Sequence, residues 1–411
     1  MHVLIAGGGV GGLSLALSLH ERGIDCTVFE AAREMRELGV GINALPHAVA
    51  ELAAMGLLPA LDAVAIRTRA LIYANRFGQE ICSEPRGLWA GHATPQFSIH
   101  RGRLHGVLQR AVRERLGDTA ILTGYRLASA TQDADGVTAR FVTGDGQVEV
   151  RGGVLVGADG IHSAVRAALH PDDGGIRWTG FQIWRGAVDW PIWRDGDTMM
   201  VVGDMNQKLV LYPIALGTSD ARRLTNWAIA VRIGDGATSP PSREDWSWRG
   251  RLGDVLPFAG RLILPDLDAE ALVASTPEIF VYPMADRDPL PWWTQARLTL
   301  LGDAAHPMYP NGSNGAAQAI LDARCLARCL AEQSVGRALA AYDSERRART
   351  TEIVLSNRKG GPERVIDVVS ARAPNGFERL EDVIDPAELS AIRGQYAAIA
   401  GFALSQAERQ S

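Results

Sequence analysis

A glycine-rich turn near the N-terminus constrains this chain more than any other segment. The turn, Gly7-Gly8-Gly9-Val10-Gly11-Gly12, follows an apolar strand predicted at residues 3–6 and precedes a helix predicted at 13–22. In dinucleotide-binding βαβ units the first glycine makes the tight turn, the second admits a pyrophosphate, and the third lets the helix pack on the strand. The helix amides then face the anion. This context predicts a βαβ unit that binds a dinucleotide.

Glu30 strengthens this interpretation. It ends the next predicted strand, at residues 26–30, and lies eighteen residues after Gly12. A carboxylate in this place accepts hydrogen bonds from a ribose diol and repels a 2′-phosphate. The glycine motif by itself does not distinguish an NAD-binding from an FAD-binding protein, because a dehydrogenase also needs just one such motif. A glycine-rich turn without any nucleotide is the remaining alternative.

The predicted elements change character near residue 179. Before it, buried strands alternate with helices, whereas antiparallel strands are predicted at 182–188, 199–203, 208–214 and 226–231, among several tryptophans that include Trp246. We therefore predict an α/β fold with a discontinuous Rossmann-like domain that has a mainly parallel sheet, an antiparallel β-sheet substrate domain, and C-terminal helices. The first domain is expected at 1–72, 97–178 and 278–360, the second at 73–96 and 179–277, and a helical tail at 361–411.

Four later motifs occur along the chain. They are Arg101-x-x-Leu104-x-x-x-Leu108, Gly157-Ala158-Asp159-Gly160 with Ser163 and Arg166, Gly302-Asp303-Ala304-Ala305-His306 with Pro310, Gly312, Gly315 and Asp322-Ala323, and Tyr342-Asp343-x-x-Arg346-Arg347. Over about residues 1–360 they resemble, in kind and order, the class A FAD-dependent aromatic monooxygenases. The segments Leu38-Gly39-Val40-Gly41-Ile42-Asn43 and Asp288-Pro289-Leu290-Pro291 resemble the branch that contains the phenazine hydroxylase (methylphenazine-carboxylate monooxygenase).

This resemblance implies an oxygen-dependent hydroxylation. FAD would be reduced by NADH or NADPH, which binds only transiently, and would react with O2 to form a C4a-hydroperoxide. Because the terminal oxygen is electrophilic, the substrate is expected to be a small, electron-rich aromatic or heteroaromatic ring. Residues 310–314 read Pro-Asn-Gly-Ser-Asn where Pro-Met-Gly-Ala-Asn is expected, so the identity of the substrate is not carried over.

The resemblance and the fingerprint together give a set of expected FAD contacts. A carboxylate at Asp303 can accept a hydrogen bond from the ribityl chain, Arg101 can neutralise the pyrophosphate, and the amides of residues 310–314 can face flavin N1 and C2. In the family, Asp159 helps to hold the phosphates and the nicotinamide donor through its neighbours. The expected contacts are Gly7, Gly9, Val10, Gly11, Gly12, Glu30, Ala31, Gly41, Ile42, Arg101, Asp159, Gly302, Asp303, Pro310, Gly312, Ser313, Asn314 and Gly315.

Fewer residues are predicted to contact the substrate than FAD. His47 follows the segment that the resemblance places beside the flavin, and an imidazole with a pKa of about 6.5 can deprotonate a phenol. On the predicted antiparallel sheet, Arg185 can bind a substrate carboxylate or pair with an acid at the domain boundary, and Tyr212 can line the pocket. These three are the catalytic candidates. The further predicted substrate contacts are Leu45, Trp184 and Pro310, and we expect all of them to converge on one cavity.

Composition excludes other classes of function. The formal net charge is -5 and no basic stripe is visible, which argues against a nucleic-acid partner. No apolar run has the length of about 20 residues that a membrane span requires, and the first strand begins at His2, so we expect a cytoplasmic protein without a signal peptide, either a monomer or a homodimer. The four cysteines have no metal-binding spacing, so no metal is predicted.

Three alternatives remain at this level. A flavin halogenase or an epoxidase would share the fold, although Trp190-Pro191-Ile192-Trp193 does not match the halogenase motif W-x-W-x-I-P. A nicotinamide dehydrogenase fits the first motif alone. A protein that binds a dinucleotide without catalysis is the third alternative.

Overall fold

The computed structural model describes residues 1–35, 39–236 and 248–403. Leu38 of the branch segment and Trp246 therefore lie outside the described residues, as does the end of the predicted helical tail from residue 404. Within the described ranges, no helix is long and apolar enough to cross a membrane.

The helices and strands are named here in chain order. The strands are β1 (His2–Ala6), β2 (Asp25–Glu30), β3 (Gly41–Ala44), β4 (Ala65–Arg67), β5 (Ala70–Asn75), β6 (Glu80–Pro85), β7 (Phe97–His100), β8 (Ile121–Thr123), β9 (Arg126–Gln132), β10 (Val137–Thr143), β11 (Gly146–Gly152), β12 (Val154–Gly157), β13 (Ile176–Pro191), β14 (Thr198–Gly203), β15 (Gln207–Leu216), β16 (Arg222–Arg232), β17 (Ile279–Arg287) and β18 (Leu298–Leu300). The α-helices are α1 (Val10–His20), α2 (Pro46–Ala54), α3 (Leu58–Asp62), α4 (Arg101–Leu116), α5 (Ala164–Leu169), α6 (Leu252–Ala259), α7 (Ala269–Ala274), α8 (Gly315–Glu332), α9 (Val335–Arg358), α10 (Arg364–Arg372) and α11 (Pro386–Ala400).

A parallel sheet forms the first layer, in the order β18-β12-β1-β2-β8. Its central strand β1 is almost completely buried, because α1 packs on the face of Ile5 and β11 packs on the face of Leu4, which explains why it reads as a continuous apolar run. Helix α1 packs against α4 and α8, and the three-stranded sheet β11-β10-β9 joins the same core. The predicted Rossmann-like architecture is confirmed, and the carboxyl ends of β1, β12 and β18 meet at one edge of this sheet.

A seven-stranded sheet forms the second layer, in the order β17-β13-β16-β15-β14-β5-β6, and is called here the large sheet. Its strands pair antiparallel except β14 with β5. Helices α6 and α7 cover its outer face, and α10 packs against the inner face. The antiparallel second sheet is thus confirmed. Strand β17 belongs to it although its residues fall in the range predicted for the first domain, so the domain limits stay a prediction.

A small sheet, β3-β7-β4, lies between the two layers and packs against β15. The chain after residue 360 returns to this region, because α11 packs against α9 and α10. The tail therefore does not extend away from the molecule. It packs over the loop that joins β18 to α8, and this position matters for the site.

Candidate cofactor and substrate site

The glycine turn requires glycine at two positions for steric reasons. Gly7 has a φ of +112°, and a Cβ atom there would lie 2.2 Å from the carbonyl oxygen of Ala158. A Cβ atom on Gly12 would lie 2.0 Å from the carbonyl oxygen of Gly7, because α1 packs directly on the end of β1. The turn thus has the close helix–strand packing that the fingerprint predicts.

Open space and an oriented carboxylate lie beside this turn. A Cβ atom on Gly9 would meet no atom within 4 Å, so a ligand can approach the backbone there. Glu30 accepts hydrogen bonds from the amides of Gly8 at 2.8 Å and Ala32 at 2.7 Å, which fix its carboxylate at the turn. Each carboxylate oxygen has a second lone pair for a ribose hydroxyl. This arrangement fits the adenosine end of a dinucleotide.

Helix α4 carries two side chains of the candidate site, Arg101 and His105. Arg101 lies at its first residue, where solvent reaches it. Although solvent reaches this residue, the surrounding protein desolvates the guanidinium enough to lower the pKa of Arg101, and the nearby Asp303 raises it. His105, which the sequence analysis missed, lies one helical turn later, with Nε2 2.7 Å from the carbonyl oxygen of Gly8. The sequence could have indicated His105 through its position four residues after Arg101, which places both side chains on one face of the helix.

Asp303 is a carboxylate at the end of β18 that a ligand can reach. It lies in a 3₁₀ turn, Gly302–Ala304, directly after β18, where solvent reaches it. The protein surrounds it closely enough for burial to raise the pKa of its carboxyl, which His306 and Arg101 partly offset. Asp159 differs, because its Oδ2 accepts from the amide of Ala164 at 2.7 Å and its buried Oδ1 has no partner among the described residues.

A buried network supports the turn that carries Asp303. Asp322 is fully buried and accepts the amide of Gly302 at 3.1 Å and the guanidinium of Arg346 at 2.7 Å. Nε2 of His306 lies 2.6 Å from the same carboxylate. Burial would raise the pKa of Asp322, but His306 and Arg346 lower it to about 2. His306 is thus a packing residue, although its Nδ1 has no partner among the described residues.

The loop of residues 310–314 leads into α8 and is anchored by the C-terminal tail. Gly312 has a φ of +72°, and a Cβ atom there would lie 2.1 Å from the hydroxyl oxygen of Tyr396 in α11. That hydroxyl lies 3.0 Å from the carbonyl oxygen of Asn311 and accepts from Nδ2 of Asn314 at 2.8 Å. The sequence analysis gave Tyr396 no role, and no local pattern in the tail indicated one.

A second set of hydrogen bonds holds the loop from the side of the small sheet. Nδ2 of Asn43 in β3 donates to Oγ of Ser313 at 3.3 Å, and its Oδ1 accepts from Oγ of Ser98 at 2.7 Å. The Ser98 hydroxyl in turn lies 2.7 Å from that of Thr68. Ser313 has a φ of +59°, which is unusual for a residue with a side chain. The loop therefore has a defined backbone conformation before any ligand binds.

Arg185 joins the large sheet to the small sheet. Its guanidinium donates to the carbonyl oxygen of Gly41, to Oδ1 of Asn226 and to the hydroxyl of Tyr282. The same Asn226 oxygen accepts the amide of Gly41 at 2.8 Å, so both backbone polar groups of Gly41 are bound by the large sheet. Burial would lower the pKa of Arg185, but Tyr282 and Tyr212 raise it above its usual value.

Strand alternation separates the predicted substrate contacts. Tyr212 lies on the inner face, where a Cβ atom on Gly41 would be 2.6 Å from its ring. Trp184 precedes Arg185 on the same strand and points to the outer face, where its ring lies 5.8 Å from that of Phe258. Leu45 is also buried in the core of the first layer. The structure thus brings Tyr212 and Arg185 together and does not bring Trp184 or Leu45 to them, while Pro310 is exposed on the loop.

His47, at the start of α2, has an apolar environment. Its ring stacks on Phe402 with 6.0 Å between centroids, and neither ring nitrogen has a hydrogen-bond partner among the described residues. Burial, together with Arg346 and His92, lowers its pKa to about 4. His47 is therefore neutral at pH 7, but it is a weaker base than a histidine in solution.

A cavity of about 360 Å³ lies next to the 310–314 loop. Its lining includes Pro46 and Gly312 from the first layer, Tyr73 and Arg86 from the region of the large sheet, and Tyr396 from the tail. This volume falls within the range of about 300–1,000 Å³ that is usual for small-molecule sites. The cavity thus lies where the loop, the inner face of the large sheet and α11 meet. Gly312 is among its lining residues, but the predicted substrate residues are not, so the expected convergence on one cavity is wrong for this cavity. The residues concerned are Leu45, His47, Trp184, Arg185, Tyr212 and Pro310.

Comparison with known proteins gives concordant results. A family model described as FAD binding domain matches residues 1–356. The phenazine 1,6-dicarboxylic acid hydroxylase PhzS of Lysobacter antibioticus is 44% identical over 87% of this chain and 89% of that protein. The 3-amino-4-hydroxybenzoate 2-monooxygenase PtmB3 of Streptomyces platensis is 32% identical over 88% of each chain. The structure of Klebsiella pneumoniae HpxO complexed with FAD and uric acid has a TM-score of 0.73 at 24% identity, covering 98% of this chain and 95% of HpxO.

Proposed function

Since the chain belongs to the FAD binding domain family and is an FAD-dependent monooxygenase of the aromatic hydroxylase type, we propose that its substrate is an electron-rich heteroaromatic ring bound beside the 310–314 loop. NADH or NADPH supplies the electrons and O2 the oxygen atom. The observation that carries the proposal is a cavity lined both by Gly312 of this loop and by Tyr73 on the inner face of the large sheet.

The residues of this chain fit FAD. Glu30 and the open space at Gly9 suit the adenosine and pyrophosphate end, and Arg101 and Asp303 offer a cation and an acceptor that solvent reaches. The remaining contacts named from the sequence, which include Val10, Ala31, Ile42 and Gly315, stay proposals. FAD, when bound, supplies the redox and oxygen chemistry of the reaction.

The protein contributes a fixed and dry environment. Tyr396 and Asn43 hold the 310–314 loop from two sides, so its backbone amides need little reorganisation when a ligand binds. The inner face of the large sheet buries Tyr212 and Ile214 against Gly41, and this close packing limits the access of water to the site. Arg185 acts as a positioning residue that holds Gly41, in place of the substrate carboxylate role considered from sequence.

The relatives favour a fused or substituted aromatic ring that carries polar groups. PhzS of Lysobacter antibioticus is a hydroxylase of a phenazine dicarboxylic acid, and the relatives from Streptomyces platensis and Polaromonas naphthalenivorans act on hydroxybenzoates. We propose a phenazine-like ring for this chain because PhzS is 44% identical to it, against 32% and 31% for these two hydroxybenzoate enzymes. A cytoplasmic location, with its supply of NADH and NADPH, and a monomer or homodimer stay part of this proposal.

One experiment tests the reaction. The purified protein is denatured to identify the released flavin, and the native protein is then assayed for NADH or NADPH oxidation with phenazines and hydroxybenzoates. We expect FAD to be released, oxidation to be accelerated by an aromatic compound, and a product that is one oxygen atom heavier. Release of NAD in place of FAD, or oxidation that no aromatic compound accelerates, contradicts the proposal. A chlorinated product in chloride buffer would support the halogenase alternative.

A further inference from the structure

The cavity beside the 310–314 loop contains hydrogen-bond donors that the protein does not satisfy. Gln96 is 2% exposed, lines the cavity, and its Nε2 atom has no hydrogen-bond partner among the described residues. The buried Nε atom of Arg86, which also lines the cavity, lacks a partner in the same part of the chain. Buried donors without acceptors destabilise a protein, so they indicate a ligand that supplies the acceptors.

The charges around the cavity favour an anion. Its charged lining residues are Arg86, Arg393 and Glu84. Oε2 of Glu84 accepts from Nη1 of Arg86 at 3.1 Å, and Oε1 accepts from Nε of Arg393 at 2.5 Å. Two guanidinium groups thus share one carboxylate, which leaves one positive charge in a partly buried place. Glu84 also fixes the orientation of Arg86, so the guanidinium is held in place before a ligand arrives.

The remaining lining suits a flat ring. Tyr73, Tyr396 and Phe402 contribute aromatic surface, and Pro46 and Gly312 connect it to the loop at which oxygen transfer is proposed. The Arg86 guanidinium lies 5.8 Å from the centre of the Phe402 ring. A planar ligand with one charged edge can place its ring on these aromatic residues and its charged edge on Arg86.

We propose that this cavity binds the substrate as an aromatic carboxylate, with the carboxylate on Arg86 and Gln96 and the ring directed toward the 310–314 loop. The inference rests on the proposed function and specifies the substrate class at that site. Arg86 is then the residue that determines specificity for an anionic ring, because a guanidinium binds a carboxylate with two parallel hydrogen bonds. Arg393 and Glu84 position it.

The test compares a charged and an uncharged ring of the same shape. FAD-loaded protein is titrated calorimetrically with phenazine-1,6-dicarboxylate and with phenazine. For Arg86→Gln we expect about a 10- to 100-fold rise in the Kd of the dicarboxylate, from the loss of a charge-assisted hydrogen bond. The Kd of phenazine and the FAD content should change less than twofold. Arg86→Lys, which keeps the charge, should recover part of the dicarboxylate affinity.

Arg69→Gln is the matched control. Arg69 lies beside Arg86, since the amide of Arg86 donates to the Arg69 carbonyl at 2.8 Å, but its side chain is 51% exposed and does not line the cavity. An equal loss of affinity in Arg69→Gln and Arg86→Gln, no loss in either, or a wild-type protein that does not prefer the dicarboxylate overturns the inference. If the wild-type protein still oxidises NADH or NADPH when an uncharged aromatic compound is added, the proposed function stands in each of these cases.

Discussion

Two carboxylates near the end of β18 differ in burial and therefore have different roles. Asp322 is fully buried, is bound by Gly302, His306 and Arg346, and has a pKa lowered to about 2. No free acceptor position faces solvent there, so Asp322 maintains the turn. Solvent reaches Asp303, which lies within that turn, and this leaves its carboxylate available for a ligand hydroxyl.

Asp303→Ala should therefore weaken FAD binding without unfolding the protein. The loss of one carboxylate acceptor corresponds to about 1–3 kcal/mol, or roughly 5- to 150-fold in Kd. The measurement is a titration of the apoprotein with FAD followed by flavin fluorescence. Asp118→Ala is the control, because the Asp118 side chain is 89% exposed in the same layer. Equal FAD affinity in both variants would remove Asp303 from the cofactor site.

His47 provides a test through pH. In the unfolded chain its pKa is near 6.5, whereas burial lowers it to about 4 in the folded protein. Between these values the unfolded state binds a proton that the folded state does not, so folding stability falls as the pH is lowered from 6.5 toward 4. At pH 5 this proton uptake lowers the free energy of unfolding by about 2 kcal/mol relative to its value at neutral pH.

His47→Asn removes this titration. With saturating FAD, its free energy of unfolding in urea should rise relative to that of the wild-type protein as the pH is lowered from 7.5 to 5. His20→Asn, at an exposed position at the end of α1, should run parallel to the wild-type protein. Parallel curves for His47→Asn as well would show that His47 is not buried in a neutral form.

At the scale of elements, β15 sends neighbouring side chains to opposite faces of the large sheet. Tyr212 faces Gly41 on the inner face, and Leu211 points to the outer core beneath α6 and α7. Successive side chains of a strand point to opposite faces. Neighbouring substitutions on one strand can therefore distinguish water access to the site from general loss of packing.

Tyr212→Ala should raise the ratio of hydrogen peroxide to hydroxylated product at unchanged FAD content, because it opens the dry side of the site to water. The ratio is measured by peroxide assay and product chromatography for each nicotinamide consumed. Leu211→Ala is the matched control, which loses a buried side chain on the other face and should keep the wild-type ratio. A peroxide ratio that rises equally in both variants would assign the effect to destabilisation of the sheet.

One hydroxyl group of helix α11, that of Tyr396, holds the 310–314 loop. Tyr396→Phe leaves the polar groups of Asn311, Asn314 and Asn357 without this partner, so we expect a loss of about 1–3 kcal/mol of stability and weaker FAD binding. Urea unfolding and an FAD titration measure the two effects. Tyr125→Phe, whose ring packs on Phe29 and Phe141, should change neither. Unchanged FAD affinity in Tyr396→Phe would show that the tail only stabilises the fold.

At the scale of the whole molecule, the number of dinucleotide-binding folds determines how NADH or NADPH can deliver electrons to FAD. Within the described residues, a single parallel sheet carries the glycine turn, and the second layer is an antiparallel sheet without such a turn. Once FAD occupies the turn, the nicotinamide has no comparable domain. We expect NADH or NADPH to bind weakly, reduce the flavin and leave before product forms.

Rapid-mixing kinetics and equilibrium dialysis check this expectation. Flavin reduction under anaerobic conditions should saturate only at high nicotinamide concentration, and dialysis should retain FAD but no nicotinamide. Dialysed protein that keeps FAD and an equal amount of nicotinamide would contradict it and would indicate a second dedicated site.

The sequence by itself determined the local features of this protein. At Gly12 the close contact is with Gly7, five residues earlier in the chain, and the helices and strands follow from periodicity. The motif Arg101-x-x-Leu104-x-x-x-Leu108 lies on one helix, α4, because its apolar residues have helical spacing. The motifs at Asp159 and Asp303 were sufficient to identify the family, because their chemistry is tied to short segments that follow buried strands.

Only the tertiary structure decided which side chains meet. The sequence predicted that Trp184 and Arg185 both face the substrate, but the pleat of β13 sends the tryptophan to the outer core. Arg185 binds Gly41, 144 residues earlier in the chain, and Tyr396 holds Asn314, 82 residues before it. Such contacts depend on how layers pack after long loops close, and that packing is set by the combined burial of many side chains. No local pattern encodes it, so the cavity lined by Arg86 became visible only in the fold.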